Sequence, residues 1–183
     1  MKCHAERCDQ EPAKYRPAAP ARGFSLIELM IALAIMMILA GIALPQVTNA
    51  LNDYRLRSAV SNATGAIQAT RYQALSQGCP LQIAFSTAAK TYQVWTKVPN
   101  PIPNPPTCAG AFAKVGGAIP LGNSSVTLGA DTTLEFSPSG SVKAIVGPAA
   151  PILMTMSNKG KTRTITVTTY GNVKTCYGAV ACP

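Results

Sequence analysis

The chain has 183 residues, 48% hydrophobic and 13% charged, a length for about one domain with an accessory segment, which excludes two large enzymatic domains. The charged share is about half of what soluble chains ordinarily carry, so apolar residues must be concentrated somewhere, and the single histidine, His4, leaves the rest of the chain without histidine triads or histidine-ligated metals. Sixteen Lys and Arg against seven Asp and Glu give +9, which suits anionic partners such as nucleic acid or lipid headgroups without choosing between them.

Residues 1–23, MKCHAERCDQEPAKYRPAAPARG, are polar and proline-rich, with five basic and three acidic side chains. A positive flank of this kind marks the cytoplasmic side of a membrane span. Residues 24–44 read FSLIELMIALAIMMILAGIAL, with Glu28 as the only charge. Such a run spans roughly 30 Å as a helix, the thickness of a bilayer core, and the rest of the chain is too small to surround it. A membrane helix is therefore expected. A secretory signal would carry its cleavage site after the apolar run; here Arg22-Gly23-Phe24-Ser25 precedes it.

Glu28 lies four residues inside that helix, where a carboxylate costs about 2.5–3.5 kcal/mol. It needs a partner unless it snorkels to the headgroups. Were the amine of Phe24 freed by cleavage, a neighbouring subunit displaced by a few residues would present that cation to Glu28 and set the register of packed helices.

After Pro45 the pattern changes from continuous to periodic. Val47, Leu51, Tyr54, Leu56, Val60, Ala63, Ile67 and Ala74 recur at helical spacing and predict an amphipathic continuation to about Ser76, with Arg55, Arg57 and Arg71 on a solvated face. Gly78, Cys79 and Pro80 form the stop. The whole helix would contain about 53 residues.

Residues 79–183 read as a β-rich head. Leu81 to Ser86 and Thr91 to Val98 predict one hairpin; Thr133 to Ser137 and Ser141 to Val146 a second; Ile152 to Ser157 and Thr162 to Thr169 a third; a last short strand covers Val173 to Tyr177. The NPIPNPP stretch, 100–106, reads as an exposed loop. A long helix on antiparallel hairpins is an α+β arrangement.

Cys3 and Cys8 stand in the leader, and Cys79, Cys108, Cys176 and Cys182 in the head. Four cysteines on an exported head, with no C-x2-C pair, predict disulfides in place of a metal site. Three connectivities are open; Cys79 with Cys108 and Cys176 with Cys182 are the pairs expected. Lys159, Lys161, Arg163 and Lys174 cluster in the last 25 residues with no acid after Glu135, either a solvated surface or a set of phosphate contacts. Arg163 shares strand parity with Ile165 and Val167, which turns it inward. Only Glu28, Asp53, Asp131 and Glu135 remain as acids beyond the leader, so no catalytic constellation, cofactor or metal is expected.

The segment Gly23-Phe24-Ser25-Leu26-Ile27-Glu28 resembles the class III signal of type IV prepilins and type II secretion pseudopilins. That resemblance implies a prepilin peptidase cutting between Gly23 and Phe24 and methylating the new amine, with Glu28 at mature position five and Pro45 at position 22 as assembly residues. The leader is longer than the few residues common in major pilins, which points to a minor or pseudopilin class. ATRYQALSQG (69–78), FSPSG (136–140) and GNVK (171–174) resemble the H-type minor pseudopilins of type II secretion and FimT-like minor pilins. The implied protein has a type IV pilin-like fold: a leader 1–23, an assembly helix 24–44, its amphipathic continuation 45–78 and a periplasmic head 79–183. It is a single-pass inner-membrane protein, N-terminus cytoplasmic and head periplasmic or at a filament tip, and is not an enzyme. Its expected role is to start or cap a pseudopilus or pilus. Its expected partners are prepilin peptidase, other pilins or pseudopilins and an inner-membrane assembly platform. The alternative is a FimT-like subunit binding extracellular DNA; there Gly171-Asn172-Val173-Lys174 stands where DNA-binding members carry G-R-x-R.

Overall fold

The computed structural model describes residues 23–97, 108–122, 125–149 and 151–182. Residues 1–22, including Cys3 and Cys8, and the proline-rich loop 100–106 lie outside the described residues. The chain divides into two units, residues 1–43 and 44–183.

Helix α1 runs from Leu26 to Gln77. Ser25-Leu26-Ile27-Glu28 has the S-x-x-E order of a capping box, and Glu28 falls in the first turn, where the helix dipole favours an acid. Every described residue of the first unit is exposed. Pro45 lies inside α1 and, lacking an N–H, cannot donate to the carbonyl of Gly41. Thr48 Oγ1 donates to the Pro45 carbonyl at 2.9 Å. Gly78, with φ of 64°, follows the last turn in the left-handed conformation that a helix C-terminus commonly adopts.

The second unit is built on the C-terminal part of α1. Leu56, Ala59, Val60, Ala63, Ala66, Ile67, Thr70 and Ala74 form its buried stripe, and the alanines among them let strands approach closely. The stripe starts later than its spacing predicts. Val47, Leu51 and Tyr54 are exposed, because the head first reaches α1 at Asn52, whose carbonyl accepts from Asn158 Nδ2 at 2.9 Å.

Nine strands follow among the described residues: β1 (Leu81–Ser86), β2 (Thr91–Thr96), β3 (Ala113–Pro120), β4 (Thr127–Leu128), β5 (Thr132–Phe136), β6 (Val142–Val146), β7 (Ile152–Asn158), β8 (Lys161–Val167) and β9 (Val173–Tyr177). They form two sheets, ordered β3-β2-β1-β5-β6 and β4-β7-β8-β9, with every pairing antiparallel. This is the α+β, pilin-like arrangement the sequence implied. Alternation places Leu81, Ile83 and Phe85 of β1, Leu134 and Phe136 of β5, Met154 and Met156 of β7 and Ile165 and Val167 of β8 in one core with the helix stripe.

Two strands escaped the sequence reading. β3, AKVGGAIP, is exposed along its whole length and offers no alternation to detect; β4 has only two residues. The β7–β8 connection is shorter than the gap between the two predicted strands, since Asn158 already pairs with Lys161. Lys159 and Gly160, with φ of 47° and 80°, form a two-residue loop with both residues left-handed, the geometry that matches the twist of a hairpin. At the β1–β2 turn, the Thr87 N–H and Oγ1 donate to Asp131 Oδ1 at 2.7 and 2.8 Å. These bonds, the backbone one foremost, hold the Asp131 carboxyl below its ordinary range. The link is therefore intact at neutral pH and is lost as pH falls through that lowered value.

Candidate functional site

Gly23, Phe24 and Ser25 precede α1 in non-helical backbone. Gly23 is exposed, and a Cβ added to it would meet nothing within 4 Å. Phe24 is exposed as well, and Glu28 is presented on the uncovered first turn of α1. The expected processing peptide is thus an exposed, non-helical segment joined directly to an apolar helix.

A second cluster lies in the head, where three stretches far apart in sequence meet at one side chain. Arg71 Nε donates to the Gly140 carbonyl at 3.3 Å and Nη2 to the Tyr170 carbonyl at 2.9 Å. The guanidinium thereby joins the β5–β6 turn of one sheet to the β8–β9 turn of the other. The Val142 N–H, at the start of β6, donates to the Thr169 carbonyl of the β8–β9 turn at 2.8 Å. Arg71 was expected on a solvated face; it is half-buried and holds the sheets together. Its position four residues after Ile67, at the margin of the buried stripe, is the signal that could have found it. Gly171 is buried, with φ of 76°, and a Cβ there would come within 2.5 Å of Arg71 Nε.

Residues 19–44 match the family described as prokaryotic N-terminal methylation motif. Residues 59–171 match the family described as type II transport protein GspH, more than half of the chain. The chain belongs to the GspH family. The matched region begins at Ala59 in the buried stripe of α1 and ends at Gly171, so it contains Arg71 and its two acceptors, the Gly140 and Tyr170 carbonyls. No solved structure matches the chain. GspH membership supports a minor pseudopilin role in type II secretion, in a family that is structural and not enzymatic. With the methylation motif it implies processing by a prepilin peptidase and assembly with other pseudopilins. The apolar N-terminal helix carrying that motif is consistent with anchoring in the inner membrane.

The cysteines of this GspH head are joined as Cys79–Cys108, with Cα atoms 5.4 Å apart, and Cys176–Cys182, 5.6 Å apart. The second bridge closes a loop over the outer face of the smaller sheet. There the Cys182 N–H donates to Thr166 Oγ1 at 3.1 Å and Thr164 Oγ1 donates to the Gly178 carbonyl at 2.6 Å. That cover explains why Thr164 and Thr166 are buried on a face that alternation would leave in water. Among the described residues no group of three or more His, Cys, Asp or Glu side chains is placed to hold a metal ion.

The four basic residues of the C-terminal region do not share one surface. Lys159 projects from the β7–β8 loop, and Lys161 and Arg163 lie on one face of β8. Lys174 pairs with Thr166, whereas Tyr177 pairs with Arg163, so Lys174 lies on the opposite face of β9. The Arg163 guanidinium sits over the Tyr177 ring at 4.0 Å, with Nη2 3.9 Å from Asp53 Oδ1. Sequence reasoning missed this cluster, which also holds Arg57, bonded to Asp53 at 2.9 Å and to the Tyr177 hydroxyl at 3.4 Å.

The Arg71 junction gives a quantitative expectation. Arg71→Met should cost about 1.5–3 kcal/mol in urea unfolding, the usual worth of hydrogen bonds from a charged donor, while Arg55→Met on the exposed face should change little. Gly171→Ala should cost about 2–4 kcal/mol, since it adds left-handed strain and displaces the guanidinium. The two effects should be less than additive, because Arg71→Met removes the atom that the new methyl group strikes. Full additivity would show that Arg71 and Gly171 act independently.

Proposed function

We propose that this chain is a single-pass inner-membrane minor pseudopilin, its N-terminus cytoplasmic and its head periplasmic, that helps start or cap the type II secretion pseudopilus. One observation carries the reading: an accessible Gly23-Phe24 peptide opens a 52-residue helix whose residues 26–51 are all uncovered. Such a helix is stable in water only if lipid or other helices cover it. A prepilin peptidase acting between Gly23 and Phe24 leaves the helix in place, as assembly requires, and removes the polar leader. The head, bounded by residues 79–183, then stands at the periplasmic side.

In this reading Glu28 and Pro45 are assembly residues. Cleavage and N-methylation leave a cationic amine on Phe24, and a subunit displaced along the filament axis brings that amine to the Glu28 carboxylate of its neighbour. The pair is formed only between subunits. Breaking it leaves an uncompensated buried charge, typically worth 3–5 kcal/mol.

Glu28→Leu tests the reading. Insertion should be unchanged or better, since a polar cost of about 2.5–3.5 kcal/mol is removed from the membrane helix. Cross-linking to other pseudopilins at equal membrane levels should fall about ten-fold or more. Equal cross-linking in mutant and parent would reduce Glu28 to a helix-capping or snorkelling side chain and remove the registry role.

A further inference from the structure

The cluster around Arg163 is not accounted for by membrane anchoring or by the core. Arg163 is largely buried, at 12% side-chain exposure, yet neither Nε nor Nη2 has a hydrogen-bond acceptor among the described residues. Its nearest carboxylate, Asp53, is 3.9 Å away, beyond hydrogen-bond reach, and is already committed to Arg57 at 2.8 Å. Buried donors of a permanently charged group are ordinarily satisfied. The Tyr177 ring lies against this guanidinium at 4.0 Å.

Two open grooves meet at Arg163. One, of about 440 Å³, is lined by Asp53, Lys161, Tyr177 and Gly178; the other, of about 490 Å³, by Arg57, Ser61, Gln68 and Thr175. Arg57, Lys161 and Arg163 against Asp53 leave this notch with a charge of +2, and Lys161 and Arg57 are the exposed members. β9, which borders the second groove through Thr175, is the outermost strand of its sheet.

We infer that the notch made by Arg57, Lys161 and Arg163 receives an acidic side chain carried on an extended segment of another polypeptide. The inference concerns the head and is independent of how α1 is anchored. Nε and Nη2 of Arg163 are closed off from the surface, so a carboxylate entering the notch is met by the exposed Arg57 and Lys161, with the buried Arg163 charge beneath them. An edge strand beside the notch suits a polypeptide, because main-chain hydrogen bonding to an exposed edge is a general mode of peptide capture. Duplex DNA fits less well. Lys174 faces the other side of the sheet, and Arg163 lies too deep for a convex phosphate backbone.

The test is zero-length carbodiimide coupling in membranes that hold the full chain, since this reagent joins an amine only to a carboxylate in contact with it. The Lys161 amine should become amide-linked to an Asp or Glu of a different chain, located by mass spectrometry of the linked peptides. Lys161→Arg should abolish that link. Arg163→Gln should lower its yield about ten-fold or more. Arg57→Gln should lower it as well, with urea unfolding checking that the head stays folded without the Arg57–Asp53 pair. Coupling of Lys161 only to Asp53 of its own chain, or a yield indifferent to Arg57→Gln, would overturn the inference. Retention of duplexes of unrelated sequence by the detergent-extracted full chain at physiological salt, lost in the same variants, would also overturn it by assigning the notch to phosphate.

Discussion

Gly23→Ala should leave the precursor uncut. N-terminal sequencing of the parent protein extracted from membranes should begin at Phe24, with an N-methylated amine, and that of the variant at Met1. The substitution isolates recognition by the peptidase. An added Cβ meets nothing within 4 Å of Gly23, the residue lies outside α1 and the following side chains, Phe24 and Ser25, are exposed. Neither the stability of the head nor the insertion of the helix should therefore change, and any loss of cleavage arises in the enzyme's grip on the scissile peptide. The expected effect is near complete, because a site shaped around a glycine has no room for a side chain beside the reacting carbonyl. A parent protein beginning after residue 44, or retaining Met1, would refute the class III reading; normal cleavage of the variant would remove Gly23 from recognition.

Removing the Cys79–Cys108 bridge should produce a large loss of stability. The bridge closes 29 residues, for which chain entropy in the unfolded state corresponds to about 3.6 kcal/mol. That is a large fraction of the roughly 5–15 kcal/mol that stabilises a domain. Cys79 is also fully buried behind the last turn of α1, so the double substitution Cys79→Ala, Cys108→Ala loses packing along with the cross-link. Cys176–Cys182 closes only 6 residues, which corresponds to about 2.2 kcal/mol. Urea unfolding of the two double variants should rank them in that order. The reverse order would mean that the loop over Thr164 and Thr166 stabilises the head more through its hydrogen bonds than through closure.

The local elements were legible because each is dictated by residues close in sequence. The apolar run 24–44 and the stripe through Leu56, Val60, Ala63 and Ile67 reflect the helical period, and the limits of α1, Leu26 and Gln77, fall within two residues of those expected. The strand runs of β1, β5, β7, β8 and β9 are short alternations between turn residues, and a period of two is visible in any six residues. β3 shows the limit of that signal. Its side chains are exposed on both faces, so nothing selected an apolar and a polar side, and AKVGGAIP carries no period to read.

Composition and periodicity by themselves determined that this chain has an apolar N-terminal helix, an amphipathic extension and a head of antiparallel hairpins. These are properties of a segment and its solvent. Only the tertiary structure decided that the hairpins separate into two sheets, that Arg71 leaves the solvated face to join the turns at Gly140 and Tyr170, and that Lys174 parts from Arg163. The reason is physical. Each of these depends on which strand lies beside which, a choice made by the shared core between residues up to about a hundred positions apart, and the charge of a lysine or arginine says nothing about the face from which it will project. The exposure of Val47, Leu51 and Tyr54 follows the same rule: periodicity marks a helix face as apolar, but only the reach of the head determines where along that face burial begins.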